Sequence, residues 1–165
     1  MPDWYTPDGL IGLLGQDLGQ AQADLAAKPF DFGFDLRPYQ KRAIQAVEQA
    51  LTEDGRRSMM LAMATGTGKT KLAIAMLYRL LATRRFRRVC FVVDRTALGE
   101  QAAGEFKATR VIGANTFADT FGLKDLGDTK PDEATKVHIC TIQSLVKRVI
   151  GADVPEDVSA VDTYD

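Results

Sequence analysis

The chain has 165 residues, 45% of them apolar and 26% charged, a balance that fits an ordinary soluble domain and excludes disordered and collagen-like chains. Lys plus Arg number 21 and Asp plus Glu 22, a net charge of −1, so any nucleic-acid contact has to be local rather than a property of the whole surface. No stretch reaches the ~20 apolar residues of a membrane span, and Met1 to Leu10 lacks the start of a secretory signal, so the expectation is a cytoplasmic protein with no membrane partner.

Leu10, Leu14, Leu18, Ala21 and Leu25 recur at helical steps and predict an amphipathic helix over residues 8–28, weakened by Gly9, Gly12, Gly15 and Gly19 and stopped by Pro29. In Phe30-Asp31-Phe32-Gly33-Phe34-Asp35-Leu36 the aromatic rings alternate with small or polar residues, which reads as an extended linker and a boundary. The expected division is residues 1–35 as a leading helical segment and 36–165 as the main domain. Arg37-Pro38 then opens a second helix, with Ile44, Val47 and Leu51 facing inward until Gly55 ends it.

Residues 58–64 are nearly all apolar and run directly into glycines, which predicts a parallel strand buried on both faces. A helix over 70–82, a strand over 89–94, a helix over 96–107, a strand over 136–141 and a helix over 143–150 follow. Alternating strands and helices imply right-handed crossovers and a doubly wound parallel sheet, an α/β fold. Residues 109–132 are ambiguous between a short helix and an irregular connection. Cys90 and Cys140, inside apolar β-branched runs, read as small buried side chains, and His138 as a strand residue without companion ligands. Asp94 or Thr96 is expected to cap the helix that follows. Four arginines in Arg84-Arg85-Phe86-Arg87-Arg88 meet the carbonyl end of a helix, which explains them without a nucleic acid.

The strongest chemical signal is Ala64-Thr65-Gly66-Thr67-Gly68-Lys69-Thr70, set between a predicted strand and a helix. Glycines let successive backbone N–H groups turn around an anion at a helix N-terminus. Lys69 would neutralise the β- and γ-phosphates of a nucleotide, and the Thr70 hydroxyl would hold Mg²⁺. The strict loop pattern has glycine where this chain has Met63.

Four stretches in order, Leu36-Arg37-Pro38-Tyr39-Gln40, Met63 to Thr70, Phe91 to Leu98 and Val137 to Leu145, together resemble the first motor domain of superfamily 2 helicases, and within it the motor (R) subunit of type I restriction enzymes. In such motors Met at the first loop position is acceptable. The resemblance implies a RecA-like fold, ATP and Mg²⁺ as ligands, double-stranded DNA as partner, and assembly with specificity and methylation subunits. It makes Gln40 the reader of adenine, since a side-chain amide can donate to N7 and accept from N6 at once, with Arg37 and Tyr39 framing the pocket. It makes Thr65, Gly66, Thr67, Gly68, Lys69 and Thr70 the phosphate and metal cradle, and Arg95, Thr141 and Gln143 contacts to DNA phosphates, which position without reading sequence.

The same resemblance implies that the acidic pair that orients the attacking water follows Asp162-Thr163-Tyr164-Asp165, and that its strand and the next lie beside the loop strand. A sheet built from these 165 residues is therefore expected to be incomplete, and the chain alone to bind nucleotide while hydrolysing it negligibly. Within the first forty residues no Glu-x-Lys follows Pro2-Asp3 to suggest a nuclease centre. Another superfamily 2 helicase, a small phosphoryl-transfer kinase and a non-catalytic nucleotide-binding remnant remain open at this point.

Overall fold

The structure, a computed structural model, describes residues 17–126 and 135–150, with side chains of the last helix as far as Val146. The first helix, α1, spans Leu18–Ala27, capped by the Asp17 carboxylate, which accepts from the Gln20 N–H at 2.9 Å; its predicted extension over residues 8–16 lies outside the described residues. Residues 28–37 are irregular. Helix α2 (Pro38–Thr52) starts at its proline, and α3 (Lys69–Ala82) starts at the end of the glycine loop.

Strand β1 (Val89–Val93), helix α4 (Thr96–Ala108), strand β5 (Thr135–Thr141) and helix α6 (Ile142–Ile150) fall within a residue of their predicted bounds. The ambiguous stretch between α4 and β5 resolves into β2 (Arg110–Ile112), β3 (Asn115–Thr116), the single turn α5 (Phe117–Thr120) and β4 (Gly122–Lys124). Strands β1, β5 and β4 form one sheet in that order, both pairings parallel, with Val89 opposite Val137 and Val93 opposite Thr141. Strands β2 and β3 make a separate antiparallel pair.

The larger core lies on one face of the sheet. Val137 and Ile139, fully buried on β5, meet Ile74, Leu77, Tyr78 and Leu81 of α3 and Phe106 of α4, with Val111 and Phe117 closing the end. The opposite face of β5 is covered as well, since His138 and Cys140 are each 2% exposed. A run with both faces covered is what a central parallel strand requires. The Cys90 and Cys140 thiols, on neighbouring strands, touch at 3.3 Å without a disulfide between them.

Two expectations are corrected. Residues 58–64 are not a buried strand: they join no sheet among the described residues, and Met59, Met60 and Leu61 are 40%, 90% and 40% exposed. The apolar run alone does not create a strand, because each edge needs a hydrogen-bonding neighbour. Nor is α4 capped by Asp94 or Thr96; Arg95 occupies the capping position with no side-chain bond to the helix, and Asp94 instead lies 3.8 Å from the Arg95 guanidinium on an exposed edge.

The extended residues before α2 are packed rather than free. Phe32 stacks on Phe34 and meets Tyr78 edge-on, and Phe30, Phe32 and Phe34 lie against Leu36, Ile44, Leu72 and Ala75. Gly33 makes this possible, since a Cβ there would fall 2.6 Å from the Arg110 carbonyl oxygen.

Candidate nucleotide-binding site

The glycine loop enters α3 through two left-handed residues, Gly66 at φ +76° and Gly68 at φ +79°, conformations that side chains disfavour. A Cβ at Gly68 would lie 2.7 Å from the Gln40 side-chain nitrogen, so that amide would have to shift from its present place. The loop is closed on itself. Lys69 Nζ donates to the carbonyls of Met63 and Ala64 at 3.0 and 2.8 Å, and the Thr67 hydroxyl donates to Ala64 at 2.7 Å. Lys69 stays largely exposed and Thr70 is half-buried. Apart from its two chain neighbours, no residue comes within 4 Å of the space a Gly66 Cβ would occupy. An ammonium, a hydroxyl and the N-terminus of a 14-residue helix follow one another in this loop, a set that suits an anion.

Helix α2 docks its first turn on this loop. Gln40, 4% exposed, accepts from the Arg37 N–H at 2.9 Å through its Oε1 and donates through its Nε2 to the carbonyls of Thr67 and Gly68 at 3.1 and 3.2 Å. Tyr39 donates its hydroxyl to the same Thr67 carbonyl at 2.7 Å, and the Arg37 guanidinium reaches the Tyr39 oxygen at 3.5 Å. The structure thus brings Arg37, Gln40, Thr65, Gly66, Thr67, Gly68, Lys69 and Thr70 to one place. It holds the Gln40 amide on loop carbonyls, so reading a base requires those two bonds to be exchanged.

Thr141 is the last residue of β5, and Arg95 and Gln143 follow the carboxyl ends of β1 and β5 by two residues each, the two strands being in register through Val93 and Thr141. Arg95 and Gln143 are exposed. Thr141 is 9% exposed and its oxygen accepts from the Ser144 N–H at 3.1 Å, so its hydroxyl serves the first turn of α6. Helix α3 buries Ile74, Leu77, Tyr78 and Leu81 against Val137 and Ile139 of β5. In open α/β sheets the carboxyl end of the strands is where ligands bind.

A family model described as "Type III restriction enzyme, res subunit" matches residues 33–161. The chain belongs to this restriction-enzyme family. It is 44% identical over 162 residues to the type I restriction enzyme EcoKI endonuclease subunit of Escherichia coli (strain K12), covering 98% of this chain and 14% of that protein. It is 35% identical over 88 residues to the EcoAI endonuclease subunit of Escherichia coli, covering 50% of this chain and 11% of that one. A Staphylococcus aureus (strain COL) relative, the SauCOLORF180P endonuclease subunit, is 29% identical over 116 residues, 70% of this chain and 12% of that protein. The chain therefore spans about one seventh of the length of the EcoKI subunit. No solved structure matches. Among the described residues no helix is long and apolar enough to cross a membrane.

A buried ion pair that no sequence motif marks joins α2 to α3. Arg79, on the inward face of α3, is 2% exposed and binds Glu48 of α2 through two parallel bonds, Nε to Oε1 at 2.6 Å and Nη2 to Oε2 at 2.9 Å. Its other N–H groups reach the carbonyls of Leu25 at 2.9 Å, Lys28 at 2.5 Å and Pro29 at 3.2 Å, and the Phe30 ring lies 4.1 Å from its central carbon. All five guanidinium donors are thereby used. Removing one partner of such a pair costs about 3–5 kcal/mol, because a charge is left buried. A legible trace existed: Glu48 follows Ile44 by one turn on the apolar stripe of α2, and Arg79 interrupts an otherwise apolar stretch of α3. Close by, burial and the Asp31 carboxylate push the Tyr78 phenol above its ordinary value.

Proposed function

We propose that this chain is the ATP-binding part of a RecA-like motor domain in an ATP-driven double-stranded DNA translocase, the R subunit of a type I restriction-modification enzyme. The observation that carries the reading is the glycine loop at the start of α3 with Gln40 of α2 seated on its carbonyls. Family membership and the restriction-subunit relatives support it further. Residues 36–165 then make up the first part of the motor domain and residues 1–35 a segment leading into it.

The loop residues fit a nucleotide with its metal. Gly66 and Gly68 hold the backbone in a shape that admits phosphate oxygens, Lys69 exchanges its bonds to Met63 and Ala64 for the β- and γ-phosphates, and the Thr70 hydroxyl holds Mg²⁺. Bound Mg²⁺ supplies charge neutralisation across the phosphates. Gln40 selects adenine by turning its amide from the loop to the base, with Arg37 and Tyr39 keeping the first turn of α2 in place. Arg95, Thr141 and Gln143 contact DNA phosphates at the carboxyl end of the sheet, Thr141 through the helix turn that it caps. Hydrolysis needs water activation in addition to this cradle. Partner subunits for sequence recognition and methylation, and a cytoplasmic location, complete the reading.

The test is Lys69→Ala in the full-length protein. Mg-ATP affinity should fall by about a hundredfold, in line with the loss of charge-assisted bonds to phosphate, while the circular dichroism spectrum stays unchanged because Lys69 fills no core volume. A variant that binds Mg-ATP as tightly as the parent would show that the loop does not hold the phosphates.

A further inference from the structure

The base reader and the phosphate cradle sit on different helices. Lys69 and Thr70 open α3, whereas Gln40 belongs to the first turn of α2. Discrimination between bases therefore depends on how α2 is held against α3. At the loop end the two helices are tied by the bonds of Tyr39 and Gln40 to the Thr67 and Gly68 carbonyls. At the far end they are tied by Glu48 and Arg79, roughly 12 Å along α2 from Gln40 and roughly 15 Å along α3 from Lys69 at the usual helical rise. Between these ties the contact is apolar, Ile44 against Leu72 and Ala75.

The two ties respond differently to a nucleotide. When Gln40 turns to a base it gives up its bonds to the loop, so the loop-end tie loosens at the moment when placement of Gln40 matters most. The far tie is untouched by that exchange. It is also the more rigid one, since a bidentate carboxylate–guanidinium pair fixes direction as well as distance, and the three further carbonyls on Arg79 prevent its head from turning.

We propose that the Glu48–Arg79 pair is a positioning device for base selection, which keeps α2 in register with the phosphate helix while Gln40 reads adenine. Arg79 acts through α2 and touches no nucleotide. The inference rests on the proposed reading of Gln40 as the adenine reader. Because Leu25, Lys28 and Pro29 share the same guanidinium, the device also joins the segment before α2 to the nucleotide helix, so displacement of α1 would be felt as a change in base selection.

The experiment compares equilibrium affinities for Mg-ATP and Mg-GTP in the full-length protein carrying Gln40→Ala, Glu48→Asp, Arg79→Lys or Gln40→Ala with Glu48→Asp. Both conservative changes retain the buried charges but break the two-bond geometry, and a thermal melt checks each for folding. The parent should prefer ATP, and Gln40→Ala should remove the preference. Glu48→Asp and Arg79→Lys should each lower the ATP-to-GTP preference by about tenfold, as a misplaced contact does, while GTP affinity, which reports the phosphate cradle, stays within about twofold. In the Gln40→Ala background Glu48→Asp should change the ratio no further. A merely structural pair would weaken both nucleotides alike or lower only the melting temperature, and that result overturns the inference while leaving the Gln40 reading intact. A parent without ATP preference, or a Gln40→Ala variant that retains it, overturns the Gln40 reading and this inference with it. Near-parent GTP affinity identifies a folded variant, so whichever conservative change folds decides the matter.

Discussion

Two apolar runs of similar length meet opposite fates in this molecule. Val137-His138-Ile139-Cys140 lies in the middle strand of the sheet, with β1 on one edge, β4 on the other and both faces covered. Met59-Met60-Leu61-Ala62-Met63 has no regular secondary structure and joins no sheet among the described residues, and Met60 is 90% exposed. Hydrophobicity is therefore a statement about what a segment would gain by burial, whereas strand formation depends on which neighbours are available to its backbone. The comparison also separates stability from chemistry: the buried run holds the core together, and the exposed one leads directly into the phosphate loop.

The largest contrast should come from truncating one side chain in each run. Ile139→Ala removes a side chain with no solvent exposure from between α3 and α4 and should cost about 2–5 kcal/mol in urea unfolding. Met60→Ala should stay within about 0.5 kcal/mol of the parent. Equal losses would mean that Met60 is buried in solution and that the two runs are alike after all.

Amide hydrogen exchange sharpens the same comparison without altering a residue. Exchange from Val137 to Thr141 should require opening of the whole sheet, and residues 58–64 should exchange through local fluctuations several orders of magnitude faster. Full protection of residues 58–64 would place them in a ladder that pairs both edges.

The same distinction explains which features could be read in advance. Helices α2, α3, α4 and α6 and strands β1 and β5 were legible because their signals are local: Pro38 opens α2, apolar steps run through Ile44 and through Leu72 to Leu80, and β-branched residues crowd Val89 to Val93. The short elements over 110–124 were not, since two- and three-residue strands have no period to detect. The glycine loop was legible as a motif, its spacing being set by backbone conformation at Gly66 and Gly68. The commitment of the Gln40 amide to the Thr67 and Gly68 carbonyls was not, because it depends on how two helices dock. For the same reason Glu48 and Arg79 stood in the sequence as two isolated oddities in apolar stripes, and only the fold brings them within 2.6 Å.

The smallest effect is expected where stability needs no distant neighbour. Thr116 and Asp119 cap α5 reciprocally: the Asp119 carboxylate accepts from the Thr116 N–H at 2.9 Å and its hydroxyl at 2.7 Å, and the Asp119 N–H donates back to the Thr116 oxygen at 3.2 Å. These bonds favour the charged carboxylate and lower it below its ordinary value of 3.8. With the folded value depressed, the native state binds fewer protons than the unfolded one as pH falls through this range. The contribution is therefore fully present above the unfolded value and is lost as pH drops through the folded one. Asp119→Asn should melt slightly below the parent at neutral pH, and the gap should close in acid, below the ordinary carboxylate range, as the parent's carboxylate is protonated. The effect is small because the group is exposed, yet it is specific: the cap leads into Phe117, fully buried at the first position of α5. A gap that persists unchanged into acid would mean that the carboxylate's charge contributes nothing and that the cap is held by geometry alone.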